Sequence, residues 1–453
     1  MPKVSHLVAR FRNNVVDFIS KSSIEKAIAR RQAKKSIQKK EKLVLLGTGW
    51  ASYSYLKHLN TIKYDVTVVS PRNHFLFTPL LTSSAVGTLE FRSIAEPIRN
   101  TRDISDFKYI HAEVTNIDPN KKQLLVKSKL HNETPFVMDF DELVIGVGGI
   151  NNSFGIPGVE KYANYLKELA HARTIRKKII DCFENASLPD VSVKERERLL
   201  TFVVVGGGPT GVEFTAELND FFVEDIQRLF PLVNPNEVKV ILLEASGKIL
   251  TAFDESLVKK TLKVFRSSGI DVKTHSPVKE VFDEYVLLAD GTKIPYGLLV
   301  WSTGIGANPL IKNSPFEKDP HTGRILVDKH LRVKNFNNIY CFGDCSIVEG
   351  ENYPLTAQVA SQEGVYLAKE FNNKEREHPR QPQEFKFKFM GLLAYIGNKN
   401  SLFQTPLFDL SGFIAFLTWR SAYLTRLGSW RAKMMVPMDW LRTIVFGRDI
   451  SNF

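Results

Sequence analysis

Residues 201–213 read TFVVVGGGPTGVE, a short apolar run that passes through a cluster of glycines into a helix-forming segment. In such a strand–turn–helix the first glycine permits the tight turn, the second lets a pyrophosphate approach the backbone, and the third allows the helix to pack on the strand. Gly206, Gly208 and Gly211 occupy these positions. The start of the helix adds N–H groups and a positive dipole for the phosphates. The stretch therefore predicts a dinucleotide-binding β–α–β unit.

A carboxylate follows the next strand of this unit. Residues 238–243 form an apolar run that ends at Glu244, 38 residues after Gly206. A carboxylate at this point accepts hydrogen bonds from both ribose hydroxyls and repels a 2′-phosphate, which favours NAD(H) over NADP(H). The compact form of the motif has a separation of roughly 20 residues, so a longer helix and loop are expected here. A solvated carboxylate at a strand end is the alternative for Glu244.

Residues 42–52, KLVLLGTGWAS, repeat the pattern earlier in the chain. Gly47 and Gly49 fill the first two glycine positions, and Ser52 takes the third. The second strand of this copy ends in Ser70-Pro71-Arg72 rather than in an acidic residue, so a ribose contact here would come from a hydroxyl or a backbone group. Taken alone, this copy is weak evidence, because glycine turns before helices are common.

Two such motifs, 159 residues apart, are typical of a flavoprotein in which an NADH domain is inserted into an FAD domain. Apolar runs at 43–46, 66–69, 143–147, 202–205, 238–243, 298–301 and 339–342 indicate buried parallel strands and an α/β fold. The FAD domain should close after the insertion, and a strand there does end in Gly343-Asp344. Asp344 would receive hydroxyls of the ribityl chain, and a helix N-cap without a ligand is the alternative.

The positive charge of the chain is concentrated at its N-terminus. The 453 residues carry a net charge of +12, and residues 1–40 contain 11 basic and two acidic residues. This composition is typical of a mitochondrial transit segment or a basic tail. The alternative is a solvated charged tail that carries no targeting signal. The rest of the chain is close to neutral, which weighs against nucleic-acid binding. The chain has no apolar run near 18 residues, which excludes a polytopic membrane protein.

From about residue 387 the chain becomes aromatic, methionine-rich and basic, without strand-like runs, which predicts a separate C-terminal module. Between 411 and 448, apolar residues at helical spacing alternate with cations, and Pro437 is expected to begin a last helix that Gly447 ends. These segments are too short and too charged to span a bilayer, so we expect an anchor at the membrane interface. Packing onto the protein's own core or onto a second copy is the alternative.

Three stretches together resemble the type II (alternative) NADH:ubiquinone oxidoreductases of mitochondria: SPRNHFLFTPLL at 70–81, GGGPTGVE at 206–213 and FGRDIS at 446–451. The resemblance extends from about Lys42 to the end of the chain. It implies FAD bound non-covalently, NADH as donor and ubiquinone as acceptor. It also implies a homodimer that is attached peripherally to the mitochondrial inner membrane through C-terminal amphipathic helices.

The resemblance also assigns roles to single residues. Residues 357–362, AQVASQ, match the family's quinone motif. Gln358 and Gln362 would share one helix face and hydrogen-bond the quinone carbonyls, and two solvated amides are the alternative. Glu213 matches an acidic residue near the nicotinamide and the flavin, where it would orient the nicotinamide or relay a proton. At the start of a helix Glu213 also gains from the dipole.

Apart from the quinone residues Gln358 and Gln362, the expected site residues form two sets, and no metal ligand is expected. The FAD residues are Gly47, Thr48, Gly49, Trp50, Ser70, Pro71, Arg72, Thr78, Pro79, Gly343, Asp344, Ala357 and Gln358. The NADH residues are Gly206, Gly208, Pro209, Thr210, Gly211, Glu213, Glu244, Thr303 and Gly304. The expected divisions are a leader at 1–40, an FAD domain at 41–160 and 326–386, an NADH domain at 161–325 and the C-terminal module at 387–453.

The three cysteines, Cys182, Cys341 and Cys345, are too few for a disulfide framework and indicate a reducing compartment or inert thiols. Disulfide reductases of related fold need a cysteine pair soon after the first glycine motif, where this chain has none. A sulfide:quinone oxidoreductase that uses Cys182 with Cys341 or Cys345 stays open as an alternative, although such an enzyme does not need an intact NADH motif. An FAD- and NADH-binding signalling protein of the apoptosis-inducing type is a further alternative.

Overall fold

The computed structural model describes residues 40–103, 106–128 and 134–451, so the leader predicted at 1–40 lies outside the described residues apart from Lys40. Within these residues the strands are, in chain order, β1 (Glu41–Leu46), β2 (Tyr64–Ser70), β3 (His74–Leu76), β4 (Ala95–Pro97), β5 (Lys108–Asp118), β6 (Gln123–Ser128), β7 (Phe136–Asp139), β8 (Glu142–Ile145), β9 (Gly149–Asn151), β10 (Asn164–Tyr165), β11 (Thr201–Val205), β12 (Lys239–Leu243), β13 (Asp271–Lys273), β14 (Val278–Val281), β15 (Tyr285–Leu288), β16 (Lys293–Pro295), β17 (Leu298–Trp301), β18 (Ile305–Ala307), β19 (Ile325–Val327), β20 (Ile339–Cys341), β21 (Ser346–Val348), β22 (Leu392–Gly397), β23 (Asn400–Gln404) and β24 (Asp409–Gly412).

The α-helices of the same residues are α1 (Trp50–His58), α2 (Leu81–Ala85), α3 (Val159–Tyr162), α4 (Leu169–Ala186), α5 (Val193–Leu199), α6 (Pro209–Phe221), α7 (Gln227–Leu229), α8 (Glu255–Ser267), α9 (Pro309–Asn313), α10 (Ala357–Lys374), α11 (Phe413–Arg426) and α12 (Trp430–Phe446). A five-residue π-helical turn, Phe222–Ile226, follows α6 directly. All seven apolar runs quoted above form strands, which confirms the α/β class.

The chain forms two compact units. The first contains the described residues up to Asn73 together with Ile98–Gly148 and Pro309–Phe387. The second contains His74–Pro97, Gly149–Asn308 and the described residues from Lys388 onward. The predicted boundaries place residues 74–97 in the FAD domain and residues 388–453 in a module of their own, whereas both segments belong to the second unit.

The first unit is built on a seven-stranded sheet in the order β20-β8-β1-β2-β5-β6-β7. The five strands from β20 to β5 are parallel, and β6 and β7 continue the sheet as antiparallel strands. Helices α1 and α10 pack closely together at Gly364. A Cβ added to Gly364 would lie only 2.2 Å from the backbone oxygen of Ala51, so only glycine allows this approach. This packing brings the start of α1 and the first turns of α10 to the carboxyl ends of β1 and β20.

The second unit contains a five-stranded parallel sheet in the order β10-β17-β11-β12-β13. Side chains of its central strands, including Val203, Leu243 and Leu299, form one apolar core with the antiparallel sheet β14-β15-β16. The long interval between Gly206 and Glu244 is filled by α6, the π-helical turn and α7, as the spacing predicts.

The C-terminal segment differs from its prediction in one element. Residues 392–412 form an antiparallel sheet, β22-β23-β24, where no strands were expected. The first hairpin turns at Asn398 and Lys399, whose φ angles are +48° and +55°. A two-residue loop with both φ angles positive matches the right-handed twist of its flanking strands, which is why it closes a hairpin here.

The last helix also begins earlier than predicted. Pro437 lies inside α12, which starts after Ser429, whose hydroxyl accepts a hydrogen bond from Ala432 N–H. Gly447 does end the helix, with φ of +80°. Within the described part of the chain, no helix is both long enough and apolar enough to cross a membrane.

Candidate active site

The glycine turn of the second unit is shaped for a phosphate group. Strand β11 enters the turn at Gly206, whose φ is +113°. A Cβ on Gly211 would lie 1.9 Å from the Gly206 backbone oxygen, so α6 can pack this closely on the turn only with glycine there. A Cβ on Gly208, the N-cap of α6, would have no atom within 4 Å. Open space therefore remains in front of the helix start, which Pro209 and Thr210 begin.

Glu244 is held against this turn. Its Oε2 accepts a hydrogen bond from Gly207 N–H at 2.6 Å, and its Oε1 accepts one from Ser246 N–H at 2.7 Å. The carboxylate is thus fixed in direction at the end of β12 rather than freely solvated.

Thr303 and Gly304 stand on the opposite side of β11, at the end of β17. The Thr303 Cβ would be 3.0 Å from a Cβ placed on Gly206. The structure therefore gathers the predicted NADH residues around the carboxyl end of β11, with the exception of Glu213.

Glu213 lies further along α6, in contact with the C-terminal sheet. Its side chain is buried, and its Oε1 accepts a hydrogen bond from the Tyr395 N–H of β22 at 3.1 Å. Burial raises the pKa of Glu213 to about 8, although the Tyr395 N–H acts in the opposite direction. The group is therefore largely protonated at neutral pH and can donate or accept a proton there.

Two more buried carboxylates lie on α6 with Glu213. Glu217 accepts hydrogen bonds from Ser83 Oγ at 2.5 Å and from Thr88 Oγ1 at 3.0 Å. Asp220 accepts hydrogen bonds from Tyr395 OH at 2.5 Å and from Asn398 N–H at 3.0 Å, and burial raises its pKa to about 7. The spacing of 213, 217 and 220 places all three on one helix face. Of the three, only Glu213 was predicted; Glu217 and Asp220 were missed, although acidic residues at 213, 217 and 220 have helical spacing that is visible in the sequence.

Arg448, in the FGRDIS stretch, forms ion pairs with Glu224 and Asp225, in the π-helical turn that follows α6. Its Nη1 lies 2.7 Å from Asp225 Oδ2 and 2.8 Å from Glu224 Oε2, and its Nε donates to Thr88 Oγ1 at 3.0 Å. Because Thr88 also binds Glu217, one hydrogen-bonded network connects the π-helical turn, α6 and the residues that follow α12.

The first unit repeats the glycine turn. Gly47 has φ of +93°, and a Cβ on it would lie 2.3 Å from the Gly146 backbone oxygen, so no other residue fits. Gly49 is the N-cap of α1, beside Trp50, and the nearest atom to a Cβ on it would be 3.9 Å away. Ser52, in the third glycine position, donates a hydrogen bond to Leu46 O or Gly146 O, each at 3.3 Å. This turn also leaves open space in front of a helix start.

The end of β2 turns towards this site. Thr48 Oγ1 donates to Arg72 O at 3.0 Å, and Ser70 Oγ accepts from Arg72 N–H at 3.1 Å. Ser70, Pro71 and Arg72 therefore border the glycine turn, as the sequence predicts. Thr78 and Pro79, in contrast, belong to the second unit, so the predicted FAD set is divided between the two units.

Asp344 and the glutamine motif also lie in the first unit. Asp344 is in a short 3₁₀ helix, Gly343–Cys345, that follows β20. Gly343 N–H donates to Glu363 Oε2 at 2.6 Å, and burial raises the pKa of Glu363 to about 7. Glu363 is a further carboxyl group that was missed, although it directly follows Gln362, the last residue of the motif. Ala357 begins α10, and Gln358 and Gln362 are half-buried one turn apart.

Comparison with known proteins identifies the family. The pyridine nucleotide-disulphide oxidoreductase family matches residues 41–364, and the NDH2 C-terminal domain family matches residues 389–449. A probable NADH dehydrogenase of Dictyostelium discoideum is 68% identical over 99% of this chain and 100% of its own length. The external NADH-ubiquinone oxidoreductase 2 of Saccharomyces cerevisiae mitochondria is 42% identical over 91% of this chain and 82% of its own. The chain belongs to the type II NADH dehydrogenases.

The solved structures support this membership. The structure of NDH2 from Plasmodium falciparum in complex with NADH matches with a TM-score of 0.86 and 28% identity, over 91% of this chain and 100% of that chain. The family resemblance and the two-dinucleotide fold predicted from the sequence are therefore confirmed.

The cysteines of this type II NADH dehydrogenase are buried thiols. Burial raises the pKa of Cys182 to about 12, so its thiol is protonated at neutral pH. Cys341 Sγ and Cys345 Sγ are 3.6 Å apart and also buried, and they lie in the first unit, whereas Cys182 lies in the second. A protonated, buried thiol is a poor nucleophile, which weakens the sulfide-oxidising alternative. Over residues 40–103, 106–128 and 134–451, no group of three His, Cys, Asp or Glu side chains is placed to hold a metal ion.

Proposed function

We propose that this chain is a non-proton-pumping NADH:ubiquinone oxidoreductase, in which NADH reduces FAD and the reduced flavin passes two electrons to a membrane quinone. The observation that carries the proposal is the pair of glycine turns, each at the carboxyl end of parallel strands in its own sheet. In both turns the second glycine faces open space, so both sites fit a pyrophosphate. Non-covalently bound FAD supplies the hydride and electron chemistry, and the protein binds and orients the reactants.

In the second unit the polar groups suit NADH. The N–H groups at the start of α6 would bind the pyrophosphate, with Gly206, Gly208 and Gly211 giving access to it. Glu244, fixed by two backbone amides, would bind the adenosine ribose and repel a 2′-phosphate. Thr303 and Gly304 would border the nicotinamide half. Glu213 would hold a proton near that half, and its raised pKa supports this role.

In the first unit the polar groups suit FAD and the quinone. Gly47, Thr48 and Gly49 would receive the FAD pyrophosphate, and Asp344 would accept hydrogen bonds from ribityl hydroxyls. Gln358 and Gln362 would donate hydrogen bonds to the quinone carbonyls, because neutral amides can do so without adding a buried charge.

The exposed residues of the C-terminal helices α11 and α12 support the proposal that the protein is attached to one face of the mitochondrial inner membrane. Their exposed apolar side chains are Phe413, Ile414, Leu417, Trp430, Met434, Met438, Leu441, Ile444, Val445 and Phe446. Arg426, Arg431 and Lys433 accompany them, and cations beside exposed aromatics favour an anionic lipid surface. Mitochondrial names among the relatives support the same location. A homodimer that buries part of this surface, and a role of residues 1–40 as a transit segment, belong to the same proposal.

The deciding experiment measures electron transfer by the purified protein. We expect bound FAD to bleach on addition of NADH and ubiquinone to be reduced, with NADPH and sulfide as much poorer donors. Negligible oxidation of NADH would sink the proposal. Gln358→Ala and Gln362→Ala should raise the quinone KM or lower kcat while reduction of the flavin by NADH persists. If quinone reduction were slow, and neither Gln358→Ala nor Gln362→Ala changed its rate, the signalling alternative would be favoured.

A further inference from the structure

An exposed aromatic side chain stands at the end of β17 on an unfavourable backbone. Phe154 follows β9, and 58% of its surface is exposed. Its φ is +53°, in the left-handed region that residues with a Cβ adopt rarely and bulky ones least of all. Exposing a phenylalanine and straining its backbone both oppose folding. Such a residue persists only where its surroundings hold it, and it is commonly found at functional sites.

Two hydrogen bonds hold Phe154 in place. Its N–H donates to Asn152 Oδ1 at 2.8 Å. The Asn152 backbone oxygen in turn accepts a hydrogen bond from the indole N–H of Trp301, the last residue of β17, at 3.0 Å. The phenylalanine ring lies directly over Gly304, because a Cβ placed on Gly304 would be only 2.4 Å from Phe154 Cζ. The ring is therefore fixed at the carboxyl end of β17.

The order of strands shows which part of a dinucleotide would meet this ring. In the sheet the strands lie in the order β17-β11-β12, so Glu244, directly after β12, is on one side of the glycine turn and Thr303, after β17, is on the other. A dinucleotide with its adenosine ribose at Glu244 and its pyrophosphate at Gly208 must extend its second half across β11. That half reaches Thr303 and Gly304, where the ring lies.

We propose that Phe154 is a binding residue for the nicotinamide half of NADH, with its ring forming an apolar wall of that half of the site. The inference rests on the proposed function, because it requires NADH to cross the Gly206–Gly211 turn. The flat apolar face would pack against the nicotinamide ring and exclude water from it, and the left-handed backbone of Phe154 is what places its ring over Gly304.

The test compares two ligands that differ only in the nicotinamide. ADP-ribose contains the adenosine, the pyrophosphate and the second ribose of NADH but lacks the nicotinamide ring. In Phe154→Ala we expect the Kd for NADH, from the concentration dependence of flavin bleaching in a stopped-flow instrument, to rise by about 5- to 20-fold, the scale of a lost stacking contact. The inhibition constant of ADP-ribose against NADH should change by less than about twofold.

Further variants separate the ring from the backbone. Phe154→Gly removes the ring and also relieves the left-handed strain, so it should raise the Kd for NADH as much as Phe154→Ala does. Phe154→Tyr keeps the ring and should bind NADH like the unchanged protein. Phe136→Ala, which removes an exposed phenylalanine from β7, is the matched control and should have no effect.

Two outcomes would overturn the inference. An unchanged Kd for NADH in both Phe154→Ala and Phe154→Gly would show that the ring does not touch the ligand. An equal loss for NADH and ADP-ribose would place the effect on the rest of the site. Failure of the unchanged protein to bind NADH at all would instead refute the proposed function, so the two failures are distinguishable.

Discussion

The buried Glu213 predicts a specific dependence of stability on pH. Its ordinary pKa of 4.5 is raised by burial to about 8 in the folded protein. Between these two values the folded protein keeps a proton that the unfolded chain releases. The free energy of unfolding therefore falls as the pH rises, by about 1.4 kcal/mol for each pH unit contributed by this group. The contribution of Glu213 to the free energy of unfolding is fully present below about pH 4.5 and is lost progressively as the pH rises to about 8.

Glu213→Gln isolates this effect. Glutamine has the shape of the protonated acid, its side-chain oxygen can still accept the Tyr395 N–H, and it cannot ionise. We expect the variant to gain stability relative to the unchanged protein as the pH rises, by about 2–4 kcal/mol between about pH 5 and pH 8. Asp220 also titrates when buried, but it is present in both proteins and cancels from the difference.

The assay is equilibrium unfolding in urea at several pH values, followed by tryptophan fluorescence with FAD at one fixed concentration. Glu184→Gln, which changes an exposed glutamate of α4, is the control and should give the same difference at every pH. If the Glu213→Gln difference were also independent of pH, Glu213 would be ionised in the folded protein, and the reasoning from burial would be refuted.

Three further predictions concern the two ends of α6 and the strand beside it. Arg448→Met should lower the free energy of unfolding by about 3–5 kcal/mol, measured by the same urea titration, because the buried Asp225 carboxylate then keeps only the longer ion pair with Arg228, at 3.7 Å; a neutral effect would contradict the ion-pair geometry. Glu244→Gln should raise kcat/KM for NADPH relative to NADH by about tenfold or more, since the charge that repels a 2′-phosphate is gone; unchanged selectivity would remove Glu244 from the ribose site. Gly208→Ala should weaken NADH binding about tenfold and leave the melting temperature unchanged, because the added Cβ would meet no protein atom. Gly211→Ala should also lower the melting temperature, because its Cβ would meet the Gly206 backbone oxygen. Equal melting temperatures for the two variants would contradict this difference.

The parts of the site that the sequence predicts are those that depend on local chain geometry. The turn at Gly206–Gly211 needs glycine because of atoms within six residues of one another or at the ends of neighbouring strands. The positions of Glu244 and Asp344 follow from the rule that parallel strands end at the same edge of a sheet. Both can therefore be derived from a single stretch of sequence and its spacing.

The contacts that the sequence does not reveal join residues far apart in the chain. Tyr395 binds Glu213 across 182 residues, and Arg448 binds Thr88 across 360. No local sequence pattern predicts either pairing. A glutamate in an α-helix is expected to be exposed to solvent unless its burial is known. The β22–β23 hairpin was different, because its apolar runs are visible on either side of Asn398 and Lys399. There the aromatic and basic composition of the segment obscured a turn signal that was present.

The row of carboxylates on α6 explains why residues 388–453 belong to the second unit. A buried carboxyl group without hydrogen-bond partners is strongly destabilising, and partners for both Glu213 and Asp220 come from β22 and its turn. The C-terminal sheet thus supplies the hydrogen bonds that the buried Glu213 and Asp220 side chains of α6 need. Helix α11 packs on this sheet through Phe416 and Trp419, which contact Tyr395, while its opposite side leaves Phe413, Ile414 and Leu417 exposed. The same segment therefore completes the core around the helix that follows the glycine turn and presents an apolar outer face, so a change that loosens the segment should disturb both features together.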